Sequence, residues 1–242
     1  MPEGHTIHRI VKDHSPLLVG GPVAVSSPQG RFAVDAELVN GVTLERIEPY
    51  GKHLFYWWAN GLVGHVHLGL FGKFRVTAGP GPAPVEGQVR MRLATDAGTI
   101  DLAGPTDCSI GSADDRDAIV ARLGPDPLRR DAKPAVALER MARSKLPIGA
   151  VLLDQKVLAG VGNVFRAEAL FVNGIHPQRI TSSCTPDELR AVWDTLTAML
   201  KQGVEDDRIV ITISNRGLRL TDRRPKQAEP ESERRGWGLK LI

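Results

Sequence analysis

The spacing of apolar residues changes once along this chain, and that change confines it to folds that use both sheet and helix. Over the first hundred residues the pattern reads as β; from about Arg116 apolar positions recur every three to four residues, as on one face of a helix. Runs 53–58 and 62–67 flank Ala59-Asn60-Gly61, and Asn-Gly is a strong hairpin signal because both residues tolerate positive φ. Runs 89–93 and 99–102 flank Thr95-Asp96-Ala97-Gly98 in the same way. Between the two pairs, Ala78-Gly79-Pro80-Gly81-Pro82-Ala83-Pro84 cannot continue a ladder and predicts an exposed loop. This part reads as an antiparallel sandwich or barrel.

The helical part opens with a short segment, 117–123, after which Gly124-Pro125-Asp126-Pro127 breaks the chain and marks the candidate junction between domains. Helices are predicted at 135–143, 148–158, 164–172 and 186–202. The last carries its own punctuation: Thr185 as N-cap, Pro186 at the first helical position, Glu188 completing a capping box, and Gly203 as the stop. Its Leu189, Val192, Trp193, Leu196, Met199 and Leu200 fall on one stripe, which reads as a core face. Farther on, 209–213 and 218–220 can pair across Ser214-Asn215-Arg216-Gly217, whereas 222–235 is polar and mixed in charge, as in disordered tails. The expected division is therefore 1–123, 124–206 and a tail, 207–242.

The 242 residues, 42% hydrophobic and 24% charged, suffice for two domains whose cores need no staples. The longest apolar stretches, such as 54–58 and 157–161, fall far short of the roughly 20 residues of a membrane helix, so no membrane is expected. The N-terminus lacks a basic region followed by an apolar one, so a cytoplasmic location, of bacterial type and near the nucleoid, is expected. Cys108 and Cys184 share no short spacing; they are expected to stay reduced, and a four-cysteine zinc site cannot be built from them. A net charge of +3 permits a polyanionic partner without requiring one.

Chemistry begins at Pro2. Removal of Met1 makes Pro2 an N-terminal secondary amine, whose reference pKa of about 7.7 to 8.0 lies well below the roughly 10.4 of lysine. Attack of such an amine on an aldehyde-like carbon yields a charged iminium, an electron sink. The adjacent Glu3 is placed to shuttle protons. His65 and His67 alternate along a strand and can face the same way, yet no cysteine or carboxylate stands at a fitting spacing, so no metal is assigned to them.

Met1-Pro2-Glu3-Gly4-His5-Thr6-Ile7 resembles the start of the formamidopyrimidine-DNA glycosylase and endonuclease VIII family, and three further segments match in order. Gly51-Lys52-His53-Leu54 resembles the family hairpin whose lysine meets the DNA phosphate beside the lesion. Val66-His67-Leu68-Gly69-Leu70-Phe71-Gly72 is similar to the loop whose apolar tip, here Leu70, enters the stack where a base has been flipped out. Leu152-Leu153-Asp154-Gln155-Lys156-Val157-Leu158-Ala159-Gly160-Val161-Gly162-Asn163-Val164-Phe165-Arg166-Ala167-Glu168 is very like the helix-two-turn-helix motif; its exposed amides at Gly160 and Gly162 and the Asn163 side chain are expected to bind a phosphate. His5 stands where many members carry another polar residue and receives no chemistry.

The resemblance implies an α+β fold, an N-terminal antiparallel β-sandwich followed by a helical helix-two-turn-helix domain. It implies an endonuclease VIII-like bifunctional DNA glycosylase and AP lyase of base excision repair. Pro2, Glu3 and Lys52 are its expected catalytic residues; Lys52, Leu70 and Asn163 are expected to bind damaged DNA, with the protein acting as a monomer and without a cofactor. Two departures qualify it. The family's zinc finger, with its two Cys-x-x-Cys pairs, has no counterpart here, so 222–242 is expected to be a divergent replacement, a frameshifted end or a truncation. The void-filling arginine and phenylalanine of formamidopyrimidine-type members are also not evident in 102–110, which favours the endonuclease VIII branch. The rival readings are a DNA-binding protein that has lost catalysis and an RNA binder that shares only the helix-two-turn-helix element.

Overall fold

The computed structural model describes residues 2–81, 83–206, 210–214 and 217–222, the last two stretches as backbone only. In chain order the elements are α1 (Gly4–Leu18), β1 (Ala24–Ser26), α2 (Ala33–Val39), β2 (Leu44–Tyr50), β3 (His53–Trp58), β4 (Val63–His67), β5 (Lys73–Ala78), β6 (Val89–Thr95), β7 (Gly98–Ala103), β8 (Asp107–Gly111) and α3 (Ala113–Ala121). There follow α4 (Pro134–Arg143), α5 (Ile148–Val151), α6 (Asn163–Val172), α7 (Pro186–Asp206), β9 (Val210–Ser214) and β10 (Gly217–Asp222). Two four-stranded antiparallel sheets, ordered β1-β6-β7-β5 and β2-β3-β4-β8, face each other. Val25, Met91, Leu93, Ile100 and Leu102 from one sheet meet Leu44, Leu54, Tyr56, Trp58 and Val66 from the other in a single core.

Both hairpins form where their turns predict. Trp58 N donates to Leu62 O at 3.0 Å across Asn60-Gly61, with Gly61 at φ +82°. Thr95 pairs with Gly98 at the second. Residues 79–81 and 83–84 lie in the predicted loop, and Arg92 explains the seat of its second half: it forms a buried pair with Asp101 at 2.7 Å and donates to the carbonyls of Ala83 and Pro84.

The first hundred residues are not β throughout, because α1 and α2 lie among them. Ile7, Ile10, Val11, Leu17 and Leu18 have helical spacing and pack against the sandwich core. Interspersed histidines and Pro16 obscure that stripe in the sequence; Pro16 lies in the last turn of the helix, where it removes one backbone donor and few helical residues follow it.

Three helix boundaries also differ from expectation. α3 starts before residue 117 because Ser112 and Asp115 form a capping box, side chain to backbone in both directions. The helix expected over 148–158 ends at Val151. Beyond it the Gln155 amide donates to Leu153 O and Val161 O at 2.9 Å each and accepts from Gly160 N at 2.9 Å, replacing helical bonds with two turns. α7 has its predicted Thr185–Glu188 box and a fully buried apolar stripe, but Gly203 does not stop it. The helix continues to Asp206, and the glycine serves packing instead: the His5 ring occupies the space over Gly203, where a Cβ would lie 3.1 Å from it. Arg9 then donates to Val204 O and Glu205 O near the helix end.

Residues 1–208 make one compact unit and 209–242 a second, in which β9 and β10 pair antiparallel, as the sequence suggests. Asn215, Arg216 and the tail 223–242 lie outside the described residues, as does Met1.

Candidate active site

Three backbone segments, each carrying a glycine, interlock at the N-terminal end of α1. Gly4 N donates to Gly160 O at 2.7 Å, and a Cβ on Gly4 would lie 3.0 Å from Gly160 Cα. Gly51 adopts φ +57°, and a Cβ there would lie 2.8 Å from Ala159 Cβ. Segments 3–4, 51 and 159–160 therefore touch backbone to backbone, which only glycine permits at this distance.

This contact brings Glu3 onto α6. Glu3 is 0% exposed, and its carboxylate accepts from Gly162 N at 2.7 Å through Oε2 and from Val164 N at 2.9 Å through Oε1. A carboxylate at a helix N-terminus satisfies orphan amides and sits favourably in the helix dipole. Gly162 makes room for it, since a Cβ at this position would lie 2.4 Å from Glu3 Cδ. The expected phosphate seat on the Gly160 and Gly162 amides is thus corrected: Gln155 takes the first and Glu3 the second. Of that seat the exposed Asn163 side chain is left, at the first position of α6.

Pro2 is half-buried beside Glu3. Lys52 follows Gly51 on the turn joining β2 to β3; burial pushes its pKa down from the ordinary lysine value, and the nearby negative charge of Glu3 opposes that shift. The structure thus brings Pro2, Glu3 and Lys52 to one place.

Leu70 stands on the β4–β5 turn and is 59% exposed, while Leu68 is buried beneath it. The turn is closed by Gly72 N to Leu68 O at 2.9 Å, and Gly69 adopts φ +63°. Phe71, which the sequence reading passed over, is 80% exposed at the same tip. Its signal is legible in retrospect, as the second large apolar residue between Gly69 and Gly72.

His65 and His67 do face the same way, joined by His53, which the sequence reading left out. His53 Nδ1 and His65 Nε2 share a hydrogen bond of 2.9 Å, and the His53 and His67 rings lie 4.9 Å apart. Burial lowers the pKa of all three, that of His53 to about 3. Among the described residues no group of three or more His, Cys, Asp or Glu is arranged to hold a metal ion. A four-thiolate zinc site does not fit this chain: Cys108 lies on β8, its Sγ 4.0 Å from Met91 Sδ, and Cys184 is buried before α7.

Two facing antiparallel sheets, a helical part entered through Gly124-Pro125, and a carboxylate near the N-terminus seated on a two-turn-helix element are the features that any relative of this chain has to share. Residues 1–105 match the formamidopyrimidine-DNA glycosylase N-terminal domain and residues 123–215 the H2TH domain of the same enzymes. The chain is 49% identical to Endonuclease 8 1 of Mycobacterium tuberculosis over 217 residues, 87% of this chain and 80% of the relative. It is 30% identical to formamidopyrimidine-DNA glycosylase of Marinobacter nauticus over 83% of this chain and 73% of that one. Among solved structures, Lactococcus lactis Fpg bound to DNA containing N7-benzyl-Fapy-dG shares the fold with a TM-score of 0.74 at 22% identity, covering 84% of this chain and 79% of that one. The chain belongs to the formamidopyrimidine-DNA glycosylase and endonuclease VIII family of DNA repair glycosylases. Among the described residues no helix is long and apolar enough to cross a membrane.

Proposed function

We infer that this protein is a bifunctional DNA glycosylase and AP lyase that removes oxidised, ring-saturated pyrimidines. After loss of Met1, the Pro2 amine attacks the sugar C1′ and the bond to the damaged base breaks. Opening of the sugar ring leaves an iminium between Pro2 and C1′, with Glu3 assisting the proton transfers. The iminium acidifies the C2′ protons; loss of one expels the 3′ phosphate and cuts the strand. Lys52 and Asn163 hold backbone phosphates, and Leu70 with Phe71 fills the gap left by the flipped base. A ring-saturated base stacks weakly and is the less costly one to flip. The 49% identity to a protein named Endonuclease 8 1 supports this substrate class.

The observation that carries the reading is the buried Glu3 carboxylate, held by two α6 amides immediately beside Pro2. Borohydride trapping on an oligonucleotide with an abasic site tests it. The wild type should give a covalent complex, sharply reduced in Pro2→Gly, and the intact mass should lack Met1. A retained Met1 leaves Pro2 as an amide nitrogen, and no complex from a correctly processed, folded protein would leave a DNA-binding protein without lyase chemistry.

The exposed tip gives a second expectation. Leu70→Ser with Phe71→Ser removes exposed side chains, so the unfolding free energy should change by no more than the roughly 0.5 kcal/mol per substitution typical of surface changes. The lifetime of the complex with abasic-site DNA should shorten by about tenfold, as expected when wedge contacts that slow dissociation are lost. An unchanged dissociation rate would remove Leu70 and Phe71 from the interface.

A further inference from the structure

One buried carboxylate is left over from this chemistry. Asp126, in the break Gly124-Pro125-Asp126-Pro127, is 1% exposed. Its Oδ2 accepts from His8 Nε2 at 2.8 Å and from Gly51 N at 2.8 Å, and its Oδ1 accepts from Leu128 N at 2.9 Å. The three donors lie on separate pieces of chain. His8 is one helical turn beyond Gly4 on α1, Gly51 precedes Lys52, and Leu128 belongs to the same linker as Asp126. A buried carboxylate tolerates its desolvation only while such donors surround it, so the donors are held in place as firmly as the acceptor.

The neighbouring contacts leave the Lys52 turn little freedom except through Asp126. Gly51 is pressed on Ala159 from one side, and its amide is tied to Asp126 from the other. The Tyr50 hydroxyl adds a bond to Gly124 O at 3.1 Å, and Ala159 N donates to Pro125 O at 3.0 Å. The linker thus braces both the turn that presents Lys52 and the loop that receives Gly4, while His8 ties α1 to the same carboxylate.

The geometry points to Asp126 as a positioning residue, with His8 as its partner, that sets the Lys52 turn against the Pro2–Glu3 end of α1. This rests on the reading of Pro2, Glu3 and Lys52 as the reacting set. Asp126 touches no reacting atom; it acts by fixing where Lys52 stands relative to the N-terminus. Displacement of a positioned group by about 1 Å costs about a hundredfold in rate.

Three variants separate positioning from mere stability. His8→Gln keeps an N–H donor at similar reach, His8→Phe keeps the bulk and loses the donor, and Asp126→Asn keeps the shape but loses the charge and an acceptor. We expect single-turnover cleavage of abasic-site DNA, at saturating enzyme and with the protein folded, to stay within about twofold for His8→Gln. It should fall about ten- to hundredfold for His8→Phe and Asp126→Asn. Hydrogen exchange at the Gly51 amide, which reads the turn without any catalysis, should quicken by about tenfold in the same two variants and remain slow in His8→Gln. Wild-type cleavage by His8→Phe and Asp126→Asn, equal losses in His8→Gln and His8→Phe, or unchanged Gly51 exchange would each overturn the assignment. A wild type that forms no trapped complex would overturn the lyase reading instead, and the Gly51 exchange would still decide whether Asp126 and His8 hold the turn.

Discussion

A Gly162→Ala variant should retain its fold and lose its cleavage of abasic-site DNA by about a hundredfold or more. The added methyl would lie 2.4 Å from Glu3 Cδ and 2.6 Å from Glu3 Cγ and Oε1. Glu3 is fully buried, so its carboxylate cannot swing aside without leaving the Gly162 and Val164 amides unpaired. Unsatisfied buried groups cost about 1–3 kcal/mol each, so destabilisation of roughly 3 kcal/mol is expected, or about 6–12 °C in the thermal midpoint of a unit this size. The larger effect is on rate, because the carboxylate leaves the position from which it serves Pro2. Thr185→Ala is the control. It removes a helix cap, at about 1 kcal/mol, far from the site and should cleave as the wild type does. Wild-type cleavage by folded Gly162→Ala would remove Glu3 from the mechanism.

The second large expectation concerns acid. Burial pushes the pKa of His5 and of His14 down to about 4, and burial with the neighbouring His65 and His67 pushes His53 down to about 3. His14 is enclosed between Tyr56, whose hydroxyl lies 3.2 Å from Nδ1, and the Phe74 ring at 4.7 Å. In the unfolded chain each imidazole returns to a pKa of about 6.5 and binds a proton more readily. The unfolded state therefore holds more protons below pH 6.5, and stability rises with pH through that window. The contribution is present above about pH 6.5 and is lost as pH falls through about 4. At pH 4.5, His5 and His14 together should remove about 5 kcal/mol, or about 10–20 °C in midpoint. Urea unfolding at pH 7.5, 6.0 and 4.5 measures it, and His14→Gln should flatten the slope. An equal slope in wild type and variant would show that His14 carries no such burden.

Local pattern made much of the sandwich legible. The Asn60-Gly61 turn, the 89–102 hairpin and the 79–84 loop depend on residues within a few positions of one another, as do the α7 cap and its buried stripe. The motif segments were legible for the same reason, since each is a contiguous string: the Pro2-Glu3 start, Gly51-Lys52, the Leu70 tip and the Gly160–Asn163 turn. α1 escaped because its stripe is interleaved with histidines, and Gly203 misled because a glycine after an apolar stripe has the same local meaning whether a helix stops there or a ring packs over it.

The assembly of the site was not in any such string. Glu3 bonds to amides 159 and 161 residues away, and Asp126 gathers donors from 118 and 75 residues away. Sequence by itself determined which residue types were present at the N-terminus, on the hairpin and in the turn before α6, because those rest on local propensity and motif. Only the tertiary structure decided that the α6 amides take Glu3 in place of a phosphate. A buried amide bonds whichever acceptor the packed chain delivers, and glycines at 4, 51, 160 and 162 allow the backbone to bring Glu3 there.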